Sequence, residues 1–204
     1  AKRRRAVLLV AEAVDRMGTD PEAAEQLLND ALKAAPNFPP SAFFLARLQV
    51  AREAGKQAVA TLETVWKAAP HPALSLLALR ADESLPPSGR KATAALIQAN
   101  KGHRETAILR ADLAIAGGDW DAAEKALGPL VQGGQPTNRV SRLMEVITRR
   151  RGDLNVAQEW AEKAASAPRE PEWSDIETDG SAFQYSQEDW SRLVYTFGDG
   201  AQLI

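Results

Sequence analysis

Small and apolar residues return along this chain at a fixed spacing. Ala24, Leu28, Ala31 and Pro36 are answered by Ala58, Leu62, Val65 and Pro70, each 34 residues later. Ala123, Leu127 and Leu130 are answered by Ala157, Ala161 and Ala164 at the same step of 34. The ends of the elements carrying these residues are marked by local signals. Asp20-Pro21-Glu22 sets a capping side chain before a proline at the first helical position. That helix runs to about Ala34 and stops before Pro36 and Pro39-Pro40. Ser41 opens a helix to about Ala54, with Gly55 as the break. The next reaches Ala69 and stops at Pro70-His71-Pro72, and another runs from about Ala73 to Ser84, before Pro86-Pro87. Ser88 is read as the cap of a shorter helix to about Asn100. His103 to Ala116 follows, closed by Gly117-Gly118. Asp119 caps a helix that weakens at Gly128-Pro129, and 137–151 and 153–167 complete the set.

Counting an opening helix at 2–17, the pattern predicts ten helices in five antiparallel pairs. A step of 34 with alanines at fixed offsets is the mark of tetratricopeptide helix pairs, each stacking on its neighbours. Gly118-Asp119-x-x-x-Ala123 and Gly152-Asp153-x-x-x-Ala157 show the logic. Glycine permits the turn, aspartate satisfies free helix amides, and alanine lets paired helices touch. The expected fold is therefore an all-α solenoid over 1–167. The pair at 71–101 is short and lacks the full alanine set, and the first helices lack the usual Trp, Gly and Tyr. From Pro168 the character changes. Prolines and glycines interrupt, and Trp173, Phe183, Tyr185, Trp190, Tyr195 and Phe197 concentrate. Residues 168–204 are read as an irregular segment packed on the array. It has a helical turn near 186–192 and strand-like Leu193-Val194-Tyr195-Thr196-Phe197. A cover of this kind suits the apolar end that a solenoid exposes.

Composition narrows the function. The chain has 204 residues, no cysteine and a net charge of −2. Disulfides, thiol catalysis and cysteine-based metal sites are excluded, and the overall basic footprint of a nucleic-acid binder is missing. Charge is uneven: residues 1–168 carry 23 Lys and Arg against 19 Asp and Glu, and 169–204 carry two against eight. No apolar run approaches the roughly 18 to 20 residues of a membrane span. The opening Ala1-Lys2-Arg3-Arg4-Arg5 reads as already helical, as in a fragment of something longer.

No enzyme chemistry is legible. There is no Gly-x-Ser-x-Gly elbow, no phosphate-cradling Gly-x-x-x-x-Gly-Lys loop and no paired-histidine metal spacing. His71, between two prolines, and His103, at a helix start, are read as structural, and no cofactor is assigned. Trp66, Trp120 and Trp160 are read as packing residues. Partner binding is assigned to the first-helix face of the pairs, and the register of the second helices points Arg16, Phe43, Arg47, Ile108, Asp112, Arg139, Arg142 and Val146 into that groove. The arginines of helix 137–151 suit an acidic peptide, a phosphate or the chain's own acidic end.

Several stretches resemble one tetratricopeptide family in particular. Trp66-Lys67-Ala68-Ala69-Pro70-His71-Pro72-Ala73-Leu74, Asp119-Trp120-Asp121-Ala122-Ala123, the run from Arg142-Leu143-Met144-Glu145 to Gly152-Asp153, and Ala167-Pro168-Arg169-Glu170-Pro171-Glu172-Trp173 are similar to the C-terminal region of the bacterial HemY family. One departure is plain: many relatives follow that last tryptophan with paired cysteines, absent here. The resemblance implies a longer inner-membrane protein with two membrane helices before this region. It also implies a non-enzymatic scaffold in late haem synthesis, with protein or peptide partners. Lys2-Arg3-Arg4-Arg5 would then favour the cytoplasmic face. The alternatives are a general peptide-binding adapter of the bacterial envelope and a carrier of haem or porphyrin.

Overall fold

A computed structural model describes residues 1–83, 91–168 and 182–200. Among these residues there are eleven α-helices and no strand. They are α1 (Lys2–Arg16), α2 (Pro21–Ala34), α3 (Pro39–Ala51), α4 (Gly55–Trp66), α5 (Pro72–Glu83), α6 (Ala92–Ala99), α7 (Arg104–Ala116), α8 (Trp120–Gln132), α9 (Asn138–Arg151), α10 (Leu154–Ser166) and α11 (Gln187–Thr196). A 3-10 turn, Phe197–Asp199, follows. The all-α helix-pair architecture is the expected one. The chain divides into two compact units: unit 1 takes Ala1–Asn100 and Ser174–Ile204, unit 2 takes Lys101–Trp173.

In unit 1, α1 packs on α2, α3 on α4, and α5 on α6. The repeating alanines and leucines form the seams: Ala24, Leu28 and Ala31 on α2 are fully buried, as are Val65 and Trp66 on α4. Asp20 caps α2, its carboxylate accepting from the Ala23 amide at 3.0 Å. The short third pair is capped across helices. Asp82 of α5 accepts from the amides of Ala92 and Thr93 at 3.0 and 2.9 Å, and from the Thr93 hydroxyl at 2.6 Å. These are amides that a helix start leaves free. The expected cap, Ser88, and the stop at Pro86-Pro87 lie outside the described residues.

In unit 2, α7 packs on α8 and α9 on α10, with α8 against α9. Ile108, Ala111, Ala123, Leu127, Val140 and Ile147 form its core. Trp160 is buried there and Trp120 is packed against it. Gly128-Pro129 does not end α8, which continues to Gln132. Pro129 removes only its own amide donor, so one backbone bond is lost while flanking turns persist.

The C-terminal residues correct one sequence expectation. Leu193 to Phe197 is not extended; it continues the helix that Ser186 starts. Ser186 and Asp189 form a reciprocal capping box, the Ser186 hydroxyl accepting from the Asp189 amide and the Asp189 carboxylate from the Ser186 amide. Leu193 and Phe197, four apart, share one face and are buried. α11 packs on α1. Arg3 Nη1 donates to the Phe197 carbonyl at 3.3 Å and its guanidinium lies 4.7 Å from that ring's centre. Arg4 pairs with Asp199 at 2.5 Å, and the Phe197 ring stacks on Phe38 at 4.5 Å. A Cβ on Gly198 would lie 2.5 Å from Arg4 Cγ, so any larger residue there would have to displace the Arg4 side chain.

Candidate functional site

The first helices of unit 1 are α1, α3 and α5, and their shared face is occupied by the chain itself. Phe183 is fully buried, its ring 5.3 Å from Phe43, 6.4 Å from Phe44 and 5.1 Å from His71. Tyr185 lies 5.9 Å from Phe183 and meets Trp190 edge-on at 4.8 Å. Phe183 holds φ at 58°, a left-handed backbone that costs an aromatic residue about 1–2 kcal/mol. Only a well-filled aromatic seat offsets that cost. Phe43, expected to face a partner, is thus covered by an internal one. Arg47 remains exposed, its guanidinium 5.6 Å over the Phe43 ring. Beside it an open cavity of about 210 Å³ is lined by Arg47, Leu76, Leu77, Arg80 and Gln184. Arg16 is exposed and paired within its own helix to Glu12 at 2.6 Å.

His71 is buried, its Nδ1 accepting from the Ala73 amide at 3.2 Å. It acts as the turn-closing acceptor before α5, and any ligand approaching its ring must first displace Phe183. His103 does the same before α7, its Nδ1 accepting from the Glu105 amide at 3.2 Å. Among the described residues no group of three or more acids or histidines is placed to hold a metal ion.

The first-helix face of unit 2 is different in kind. Glu105, almost fully buried on α7, accepts from Arg139 Nη1 of α9 at 2.8 Å. A buried pair of this sort ties one helix to the next but contributes modest net stability. About two turns further along α7 stands Asp112, half-buried, with no hydrogen bond or ion pair among the described residues. Burial pushes its carboxyl up to about 6; Arg139 opposes the shift and Glu105 adds to it. On α9, Arg142 and Val146 are exposed. The structure therefore offers Asp112, Arg142 and Val146 to solvent, with Arg139 engaged inside. Ile108, expected in the groove, is a correction: it is fully buried in the core of unit 2. Leu109 beside it is buried as well, so the core-facing side of α7 is wider than the register of the second helices implies.

A tetratricopeptide repeat family model matches residues 18–82, within unit 1. No curated protein matches the chain. No solved structure matches it either. Together with the helix pairs, the match makes the fold an all-α, tetratricopeptide-like solenoid, whose repeats generally serve protein–protein interaction.

Proposed function

We propose that this chain is a non-catalytic interaction scaffold whose available docking face is the α7–α9 side of unit 2. The observation that carries this reading is the contrast between two equivalent faces. Unit 1 fills its own with Phe183, whereas unit 2 leaves Asp112 on α7 without a hydrogen-bond or ion-pair partner, and Arg142 and Val146 on α9 exposed. A half-buried carboxylate without a donor is costly in the free protein. A partner that brings an ammonium or amide N–H to Asp112 and a carboxylate to Arg142 would relieve it.

The partners belong, on this reading, to late haem biosynthesis at the bacterial inner membrane, with this region on the cytoplasmic side. The support is the set of HemY-like stretches around Trp66–Leu74, Asp119–Ala123 and Arg142–Asp153. No described helix is long and apolar enough to cross a membrane, so the anchor in this proposal is a segment outside this sequence. Co-purification of late haem enzymes with the full-length protein tests the reading. The expected result is capture that is lost in the double variant Arg142→Glu, Val146→Asp. Capture unchanged by that variant would move the docking face elsewhere, and no haem enzyme among the captured proteins would leave a general adapter. Haem titration addresses carriage: a Soret shift that disappears in His71→Ala would favour a carrier over a scaffold.

A further inference from the structure

Several described cations stand beside an acid: Arg16 by Glu12, Arg52 by Glu22 and Glu25, Lys67 by Glu63, Arg149 by Glu145. Lys101, Arg110 and Lys125 of unit 2 have no ion pair among the described residues. All three line one cleft. It lies between α7 and α8, encloses about 500 Å³, and has His103 and Arg104 on the same rim. Among the described residues no Asp or Glu lines it. His103 adds an N–H rather than a charge. Its Nδ1 already accepts from Glu105, which leaves the ring proton on Nε2, and burial holds its pKa below the usual imidazole range against the pull of Glu105.

The floor is apolar and low. Ala107 on α7 and Ala126, Pro129 and Leu130 on α8 form it, with Ala122 at its exposed edge. Small side chains keep the groove between the two helices open. The opposite flank of α8 is already used, because Glu124 there reaches Arg151 of α9 at 2.7 Å. Within unit 2, the cleft is lined by α7, α8 and the turn before α7 alone. Its charges are spread: Arg104 and Arg110 stand about 9 Å apart along α7 at 1.5 Å per residue, with Lys125 across the groove. No single phosphate or carboxylate bridges that span. A row of carboxylates three and four residues apart on one helix does.

We propose that the α7–α8 cleft of unit 2 docks an acidic amphipathic helix of a partner protein, its apolar stripe on Ala107, Ala126 and Leu130 and its carboxylates on Lys101, Arg110 and Lys125. This surface is separate from the α7–α9 face above, so either assignment stands or falls alone. The probe is a fluorescein-labelled helical peptide of about 18 residues, leucines on one face and glutamates on the other, followed by fluorescence anisotropy against the whole chain.

The expected result is saturable binding that weakens from about 50 mM to about 500 mM salt. The triple variant Lys101→Glu, Arg110→Glu, Lys125→Glu binds roughly tenfold or more weakly. Ala122→Trp, which fills the groove edge and keeps every cation, weakens binding as well, while Lys56→Glu, an exposed cation of unit 1, changes nothing. Circular dichroism confirms that the variants keep their helix content. Equal binding of polyglutamate or pyrophosphate would overturn the proposal in favour of a site for anions in general. Equal binding by the triple variant, or no binding of the probe at about 100 μM, would also overturn it.

Discussion

Arg52 ends α3 in unit 1 and Arg151 ends α9 in unit 2, and each reaches back to two acids on the helix before. In both units those acids lie 30 and 27 residues earlier: Glu22 and Glu25 for Arg52, Asp121 and Glu124 for Arg151. The backbone beyond them also matches. The Glu53 and Ala54 amides donate to Val50 and Gln49, as those of Gly152 and Asp153 do to Arg149 and Thr148. Yet unit 2 places Gly152 at the left-handed turn, φ 96°, where unit 1 places Glu53 at φ 60°. The faces diverge further, one sealed by Phe183 and the other open around Asp112. The repeat's connecting hardware is shared to the level of single hydrogen bonds, whereas what each unit presents is its own. Architecture and surface are thus separable here: helix ends specify the first, and exposed first-helix residues the second.

The largest test of the comparison removes the seal. Phe183→Ala empties a fully enclosed aromatic site, and such a change costs about 3–5 kcal/mol. The loss is expected in unit 1 alone, read as faster amide exchange in α3 and α5 with α8 and α9 unchanged. Equal loosening of both units would mean that the two are not energetically distinct.

Next comes the open face. The Asp112 carboxyl titrates near 6 in the folded chain and near 3.8 when unfolded. Between those pH values the folded state binds more protons, so stability falls as pH rises through that window and is flat above it. Asp112→Asn is therefore expected to stabilise the protein by about 2–3 kcal/mol at pH 7, with the gain vanishing below about pH 4. Melting curves across that range check it; a pH-independent gain would assign the effect to packing. The same variant should weaken partner capture while raising the melting temperature.

Smaller effects sharpen the likeness of the two turns. Glu53→Gly should stabilise unit 1 by about 1 kcal/mol, and Gly152→Ala should destabilise unit 2 by a similar amount. Chemical denaturation of each variant gives both values, and shifts of the same sign would show that the turns are not equivalent. The smallest effect belongs to the arginine clamps. Arg52→Met and Arg151→Met are each expected to lose little, and the loss should shrink in high salt because both clamps are solvent-screened.

Most helix ends were legible because their causes are local: Asp20 and Pro21, Gly117-Gly118 and Asp119, Gly152. Where the cause is distant, the sequence was mute. Asp82 caps α6 from a neighbouring helix, and nothing near residue 92 announces it. Phe43 reads as a groove residue until Phe183, far along the chain, is found on top of it. The run Leu193 to Phe197 has the β-branched and aromatic character of a strand. The capping box before it and the burial of Leu193 and Phe197 against α1 override that preference. Register leaves Arg142 and Val146 exposed and Asp112 half-buried, but it cannot show that Ile108 joins Leu109 in the core of unit 2.

The clasp between α1 and α11 has a mechanical consequence. Unit 2 lies in the stretch of chain between the two parts of unit 1, so tension applied at residues 1 and 200 meets the Arg4–Asp199 and Phe38–Phe197 contacts first. Until those contacts part, the force path bypasses the helices of unit 2. A pull on this protein would thus free Phe38 and then Phe43 while the α7–α9 face still held its shape. The clasp would act as a fuse, parting before any load reaches unit 2.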